Sequence, residues 1–305
     1  MQKTSFNRGY LFAVLTVAIW AGFIVISRLG GTSLLTAFDV AALRFGAASL
    51  ALLPFWWMRR ASVKLFNRRN AVLALTGGVG YALLAYSGFK LAPAAHAAVL
   101  MPGVLPFQIA LYAWLLLGER PNGARWIALL LIAVGVMCLA TDVFQGGHIA
   151  WTGDLLFLSA SASWALYTVL VRRWAVDPWN ATIGVTFLAT LVYLPIYLLF
   201  LPRHLAAASA VAIVTQALYQ GVIVAVVAMI LYMKALVKIG PTRLGTFMAV
   251  VPAIAGLISA PLLGEALSPW IIAGLLFVSS GAWIGSRYSS VVSPPVGLKR
   301  GEGLA

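Results

Sequence analysis

The side chains able to do chemistry are few, and most stand at the edges of long apolar runs. In 305 residues there are seven acids, Asp39, Glu119, Asp142, Asp154, Asp177, Glu265 and Glu302, with three histidines and one cysteine. No His-Glu-x-x-His helix, Gly-x-Ser-x-Gly elbow, Cys/His metal spacing or phosphate-binding glycine loop is present. None of the acids lies at the centre of an apolar run, so an intramembrane aspartyl protease or a di-metal site has no ligands. This speaks against an enzyme, a metal centre or a cofactor. Cys138 lies within an apolar run and has no partner for an internal disulfide; it reads as a small core residue.

What remains points to binding rather than catalysis. Trp20 and Trp164 stand near the centres of their runs, and each has an aromatic three residues on, Phe23 and Tyr167, on the same helix face. A mid-membrane indole N–H wants a partner that lipid cannot give, so both tryptophans are expected to face a polar cavity; core packing is the alternative. Tyr81 and Tyr86 add aromatic surface, and Tyr219 with Gln220 polar surface. His96, Met101, Thr246 and Phe247 join the candidate substrate-binding set, and Thr242 stands in the same run as the last two. A lone histidine is more often a satisfied structural residue, and that reading stays open for His96. Arg44 is the costliest residue for a membrane to hold. It is expected to bond backbone carbonyls of neighbouring helices, with substrate-carboxylate recognition as the alternative. Glu119 and Glu265 are expected to accept bonds from the first amides of the next helix, at its positive dipole end.

The elements that position these residues are membrane spans. With 62% hydrophobic residues, 9% charged and a mean hydropathy of +0.98, no soluble surface can be built. Ten runs reach the roughly 20 apolar residues a span needs: 9–28, 34–58, 71–89, 93–118, 124–141, 152–171, 181–201, 211–233, 241–263 and 269–286. β-Barrel strands of about 10 alternating residues look nothing like these. The +14 charge sorts by topology: with a cytoplasmic amino terminus, 17 basic residues fall inside and three, Arg28, Lys90 and Arg203, outside. That distribution rejects a nucleic-acid partner and puts both termini in the cytoplasm. The basic 59–70 segment reads as a topology determinant, with anionic lipid contact as the lesser alternative.

The runs also repeat. Leu117-Gly118-Glu119 returns as Leu263-Gly264-Glu265, 146 residues on, as do Pro106 as Pro252 and Tyr86 as Tyr232; at an offset of 144, Trp20 and Arg28 return as Trp164 and Arg172. Two five-helix repeats, 1–146 and 147–290, are followed by a polar tail, 291–305, expected to be disordered. An odd number of spans per repeat inverts one half relative to the other. Helix breaks at Pro102, Pro106 and Pro252, recurring in inverted halves, point to a central binding cavity, with simple packing kinks as the alternative.

On Arg44, on Pro106 with Leu117-Gly118-Glu119, and on Pro252 with Leu263-Gly264-Glu265, the chain resembles the drug/metabolite transporter superfamily, specifically its EamA-type members. Trp20, Trp164 and Tyr81 make it most similar to the bacterial aromatic amino acid exporter branch, although Met101 and Leu105 stand where an aromatic would suit that branch. The resemblance implies an inner-membrane carrier without cofactors, its cavity lined by spans one, three, four, six, eight and nine and open alternately to each side. An aromatic amino acid would lay its ring on Trp20 or Trp164, its carboxylate meeting freed backbone amides, Thr246 or His96. A multidrug-type exporter of lipophilic cations and a non-transporting lipid-binding or assembly protein remain as alternatives.

Overall fold

A chain this apolar must satisfy its backbone internally, and helices do so within each segment. The computed structural model describes residues 2–119, 123–146 and 150–287. The Pro121-Asn122 turn, the 147–149 junction, the tail and the Thr242 side chain lie outside the described residues. The helices are α1 (Gln2–Thr32), α2 (Ala37–Arg59), α3 (Arg68–Leu91), α4 (Ala94–Leu117), α5 (Gly123–Gly146), α6 (Ala150–Arg173), α7 (Pro178–Phe200), α8 (Ala210–Gly240), α9 (Arg243–Leu263) and α10 (Pro269–Arg287). Among the described residues nine are long and apolar enough to cross a membrane; α5 offers only a shorter apolar stretch, Trp126–Asp142. The expectation of ten spans is thus met by nine on length and hydropathy.

Capping starts these helices where the sequence supplies it. Thr36 and Asp39 exchange a capping box at α2, with Asp39 N to Thr36 Oγ1 at 3.0 Å and Thr36 N to Asp39 Oδ2 at 2.7 Å. Ser209 caps α8 and Ser268 caps α10. The two Leu-Gly-Glu motifs are helix ends. Gly118 and Gly264 sit at φ +73° and +68°, the left-handed cap that glycine adopts without penalty.

The prolines break the winding in matching ways. Val104 (φ −83°, ψ −18°) and Val250 (φ −86°, ψ −15°), 146 residues apart, each precede a helical turn opened by Pro106 or Pro252. The segment before Val104, Val99–Gly103, is π-helical and contains Pro102. Two further π-helical segments, Ala74–Gly80 in α3 and Ala217–Val227 in α8, fall at corresponding places of the two halves. π-Winding frees backbone groups and is frequent at functional sites.

Helix termini gather at two ends. One, the basic end, holds Arg59 against Asp177, Arg69 over Trp174 and Arg172 against Glu119. The other holds Arg28 against Glu265, His96 against Asp154, and Asp39 against Tyr197 and the His204 amide. Exposed leucines, valines and phenylalanines such as Leu50, Leu199 and Leu276 cover the flanks between them, a surface suited to lipid. Trp57, Trp114, Trp126, Trp151, Trp270 and Trp283 are exposed, as belt tryptophans are.

Candidate functional site

Between the two ends, residues from five helices converge. On α1, Trp20 stacks on Tyr232 of α8, with centroids 5.5 Å apart and planes 27° off parallel. On α6, Trp164 lies between Tyr81 of α3 at 4.9 Å and its own helix neighbour Tyr167 at 5.0 Å. Tyr167 fits because Gly77 leaves it room; a side chain at Gly77 would collide with the tyrosine ring. The α2 guanidinium of Arg44 lies 6.0 Å from the Phe23 centroid and 5.9 Å from that of Tyr81, within cation–π range. Trp20, Arg44, Tyr81, Trp164, Tyr167 and Tyr232 are all half-buried between the two ends of the bundle. The sequence marked Tyr232 only as the repeat-mate of Tyr86; its place beside Trp20 required the fold.

Arg44 corrects an expectation. Among the described residues its hydrogen bond runs from Nη1 to the Tyr86 hydroxyl at 3.2 Å, and none to a backbone carbonyl is found. No carboxylate lies within ion-pair distance of it among the described residues. A cation at the centre of a membrane helix costs about 3 kcal/mol even on the milder insertion scale, and a neutral hydroxyl offsets little of that.

The acids are occupied elsewhere. Glu265 accepts from Arg28 Nε at 2.5 Å and from the Ala94 amide at 2.8 Å, while Arg28 Nη1 also reaches the Phe89 carbonyl at 2.6 Å. It therefore caps α4, in the other half of the chain; the next helix, α10, is capped by Ser268. Glu119 pairs with Arg172. Arg28 and Arg172 are repeat-mates, and so are Glu119 and Glu265. Each half thus supplies the arginine for the other half's glutamate, one pair at each end of the bundle. The sequence held all four residues in its offsets, but nothing in their spacing showed that they pair.

His96 stands apart from the central group. It is buried, with Nδ1 3.0 Å from Asp154 and Nε2 3.4 Å from Asp142, so it joins α4 to the facing ends of α5 and α6. Both ring nitrogens thus have a carboxylate beside them, the arrangement of a satisfied structural histidine. Thr246 and Phe247 lie towards the basic end, Thr246 Oγ1 3.3 Å from Ser286 Oγ and the Phe247 ring 5.7 Å from Tyr10. Met101 is buried, its carbonyl accepting from Ser161 Oγ. Gln220 is fully buried and ties α8 to α1 through Ser27 Oγ at 3.0 Å. Among the described residues no group of three or more His, Cys, Asp or Glu is placed to hold a metal ion.

The EamA-like transporter family matches residues 7–141 and again 151–287. Among curated proteins the chain is similar to the uncharacterized transporter YwfM of Bacillus subtilis, 28% identical over 80% of this chain and 84% of that one. It is similar too to the threonine/homoserine exporter RhtA of Escherichia coli, 29% identical over 75% of each. A crystal structure of another protein shares the fold with a TM-score of 0.61 at 21% identity, over 91% of this chain and 96% of that one. With two copies of the family unit covering nearly all its described helices, the chain belongs to the EamA-like transporter family, as a multi-pass membrane protein.

Proposed function

We propose that this protein is an inner-membrane carrier exporting amino acids, aromatic and other apolar ones favoured, or similar small metabolites. In this reading ten helices form two inverted five-helix halves, 1–146 and 147–290, with both termini cytoplasmic. The basic end then faces the cytoplasm, in keeping with the positive-inside excess. The observation that carries the proposal is the aromatic cluster at the centre, where Trp20 and Tyr81 from the first half meet Tyr232 and Trp164 from the second. An apolar cargo held there touches both halves at once. Rocking of the halves about it exposes the cargo to one side, then the other. The two cross-half pairs, Arg28–Glu265 and Arg172–Glu119, stand where such a motion must separate residues, one pair per end. The named cargo of RhtA, threonine and homoserine, also favours amino acids.

Substrate competition tests this. Purified protein in liposomes is given labelled phenylalanine against a panel of amino acids and lipophilic cations. Competition by apolar amino acids is expected; competition confined to lipophilic cations would replace this reading with a multidrug-type exporter.

A further inference from the structure

Resting on the central site just proposed, we infer that Arg44 is a carboxylate-binding subsite, so that the cargo is an organic acid or zwitterion and not a lipophilic cation. A guanidinium carries five N–H donors. Among the described residues one of them has a protein partner, the Tyr86 hydroxyl. The side chain is half-buried beside the rings of Phe23 and Tyr81, and no other protein acceptor among the described residues takes its remaining donors. The surrounding groups make the site electropositive. Asp39, Glu119, Asp142, Asp154, Asp177 and Glu265 are each engaged at one end or the other, so among the described residues no acid at the centre balances Arg44.

The second half has no counterpart to this charge. At offsets of 144 and 146 from Arg44 stand Leu188 and Thr190, and Thr190 Oγ1 is spent on the Phe45 and Thr186 carbonyls. The site is therefore polarised, with one forked cation on the α2 side and aromatic faces opposite. A planar carboxylate matches the fork in two parallel bonds. With its carboxylate on Arg44, the apolar part of the ligand lies towards Tyr81 and Trp164, since the guanidinium is 5.9 Å from the Tyr81 ring and that ring 4.9 Å from the indole. Among the described residues no second cation stands beside Arg44, as a phosphate monoester would ask.

Matched compounds test the subsite without a variant. Thermal stabilisation of the purified protein is measured with phenylalanine, phenylalaninamide, 3-phenylpropanoate and phenethylamine. The two carboxylates are expected to bind about 10- to 100-fold more tightly than the amide and the amine, the range for a charge-assisted hydrogen bond. Arg44→Gln should erase that preference, Arg44→Lys should keep part of it, and Trp270→Ala, in the exposed belt, should leave it unchanged. Amide and acid binding equally well to the wild type would overturn the subsite, as would a preference surviving in Arg44→Gln. If 3-phenylpropanoate binds through Arg44 while phenylalanine and threonine do not bind, the amino-acid reading falls and the subsite stands.

Discussion

Replacing Glu265 by glutamine removes one charge from the pair that joins the two halves at one end of the bundle. Arg28 and Glu265 are only 16% and 14% exposed, and the carboxylate also caps α4 through the Ala94 amide. Stripping the partner from a buried charge costs about 3–5 kcal/mol, and a surface pair about 0–1. With exposure of about one sixth, a loss of roughly 2–4 kcal/mol is expected, since glutamine still accepts from the Ala94 amide. The counterpart pair is more open, Arg172 at 45% and Glu119 at 27%, so Glu119→Gln should cost under about 1 kcal/mol. In a carrier whose halves part at that end, as proposed, a loss of 2–4 kcal/mol from the joined state favours parting by roughly 30- to 700-fold. Ser27→Cys, introduced with Cys138→Ser, reports this opening, because Ser27 is buried against Gln220 across the two halves. Its thiol labelling should rise at least tenfold in Glu265→Gln and hardly change in Glu119→Gln. A double-mutant cycle of Arg28→Gln with Glu265→Gln, read by denaturation in micelles, should show coupling. Strict additivity, with labelling unaltered, would refute the idea that this pair latches the halves.

Further expectations concern the centre and the topology. Trp20→Ala or Trp164→Ala should weaken transport of phenylalanine and tryptophan roughly 5- to 150-fold, the effect of about 1–3 kcal/mol, and weaken threonine less. Trp270→Ala, in the belt, should not discriminate among cargoes; equal loss for every cargo with a lowered melting temperature would make Trp20 and Trp164 packing residues. A reporter fused after Ala305 should lie in the cytoplasm and one inserted at Phe144 outside it, and finding both on one side would end the ten-span topology.

Much of the architecture was legible in the sequence because it is written twice. The offsets that link Pro106 to Pro252 and Gly118 to Gly264 correspond to equal backbone dihedrals in the two halves. Hydropathy gave the long helices, since lipid leaves few alternatives; in α5 the described residues hold a shorter apolar stretch, Trp126–Asp142. The π-helical segments were not legible. Winding depends on what packs there, and in α3 that includes Tyr167 of another helix, set against Gly77. Partner choice was illegible for the same reason. Glu265 bonds a residue 237 positions away, and no local spacing encodes that. The expected backbone partners for Arg44 followed from α2 alone, without sight of the tyrosine that α3 brings beside it.

Counterflow tests the carrier reading most directly. Liposomes containing the purified protein and preloaded with unlabelled phenylalanine are diluted into a trace of labelled phenylalanine. A carrier with one central site exposed alternately to each side should accumulate label transiently above its equilibrium level, faster with preloading than without, and Trp164→Ala should blunt that overshoot. Label entering at the same rate into loaded and empty liposomes, or not at all for any amino acid tried, would contradict the account.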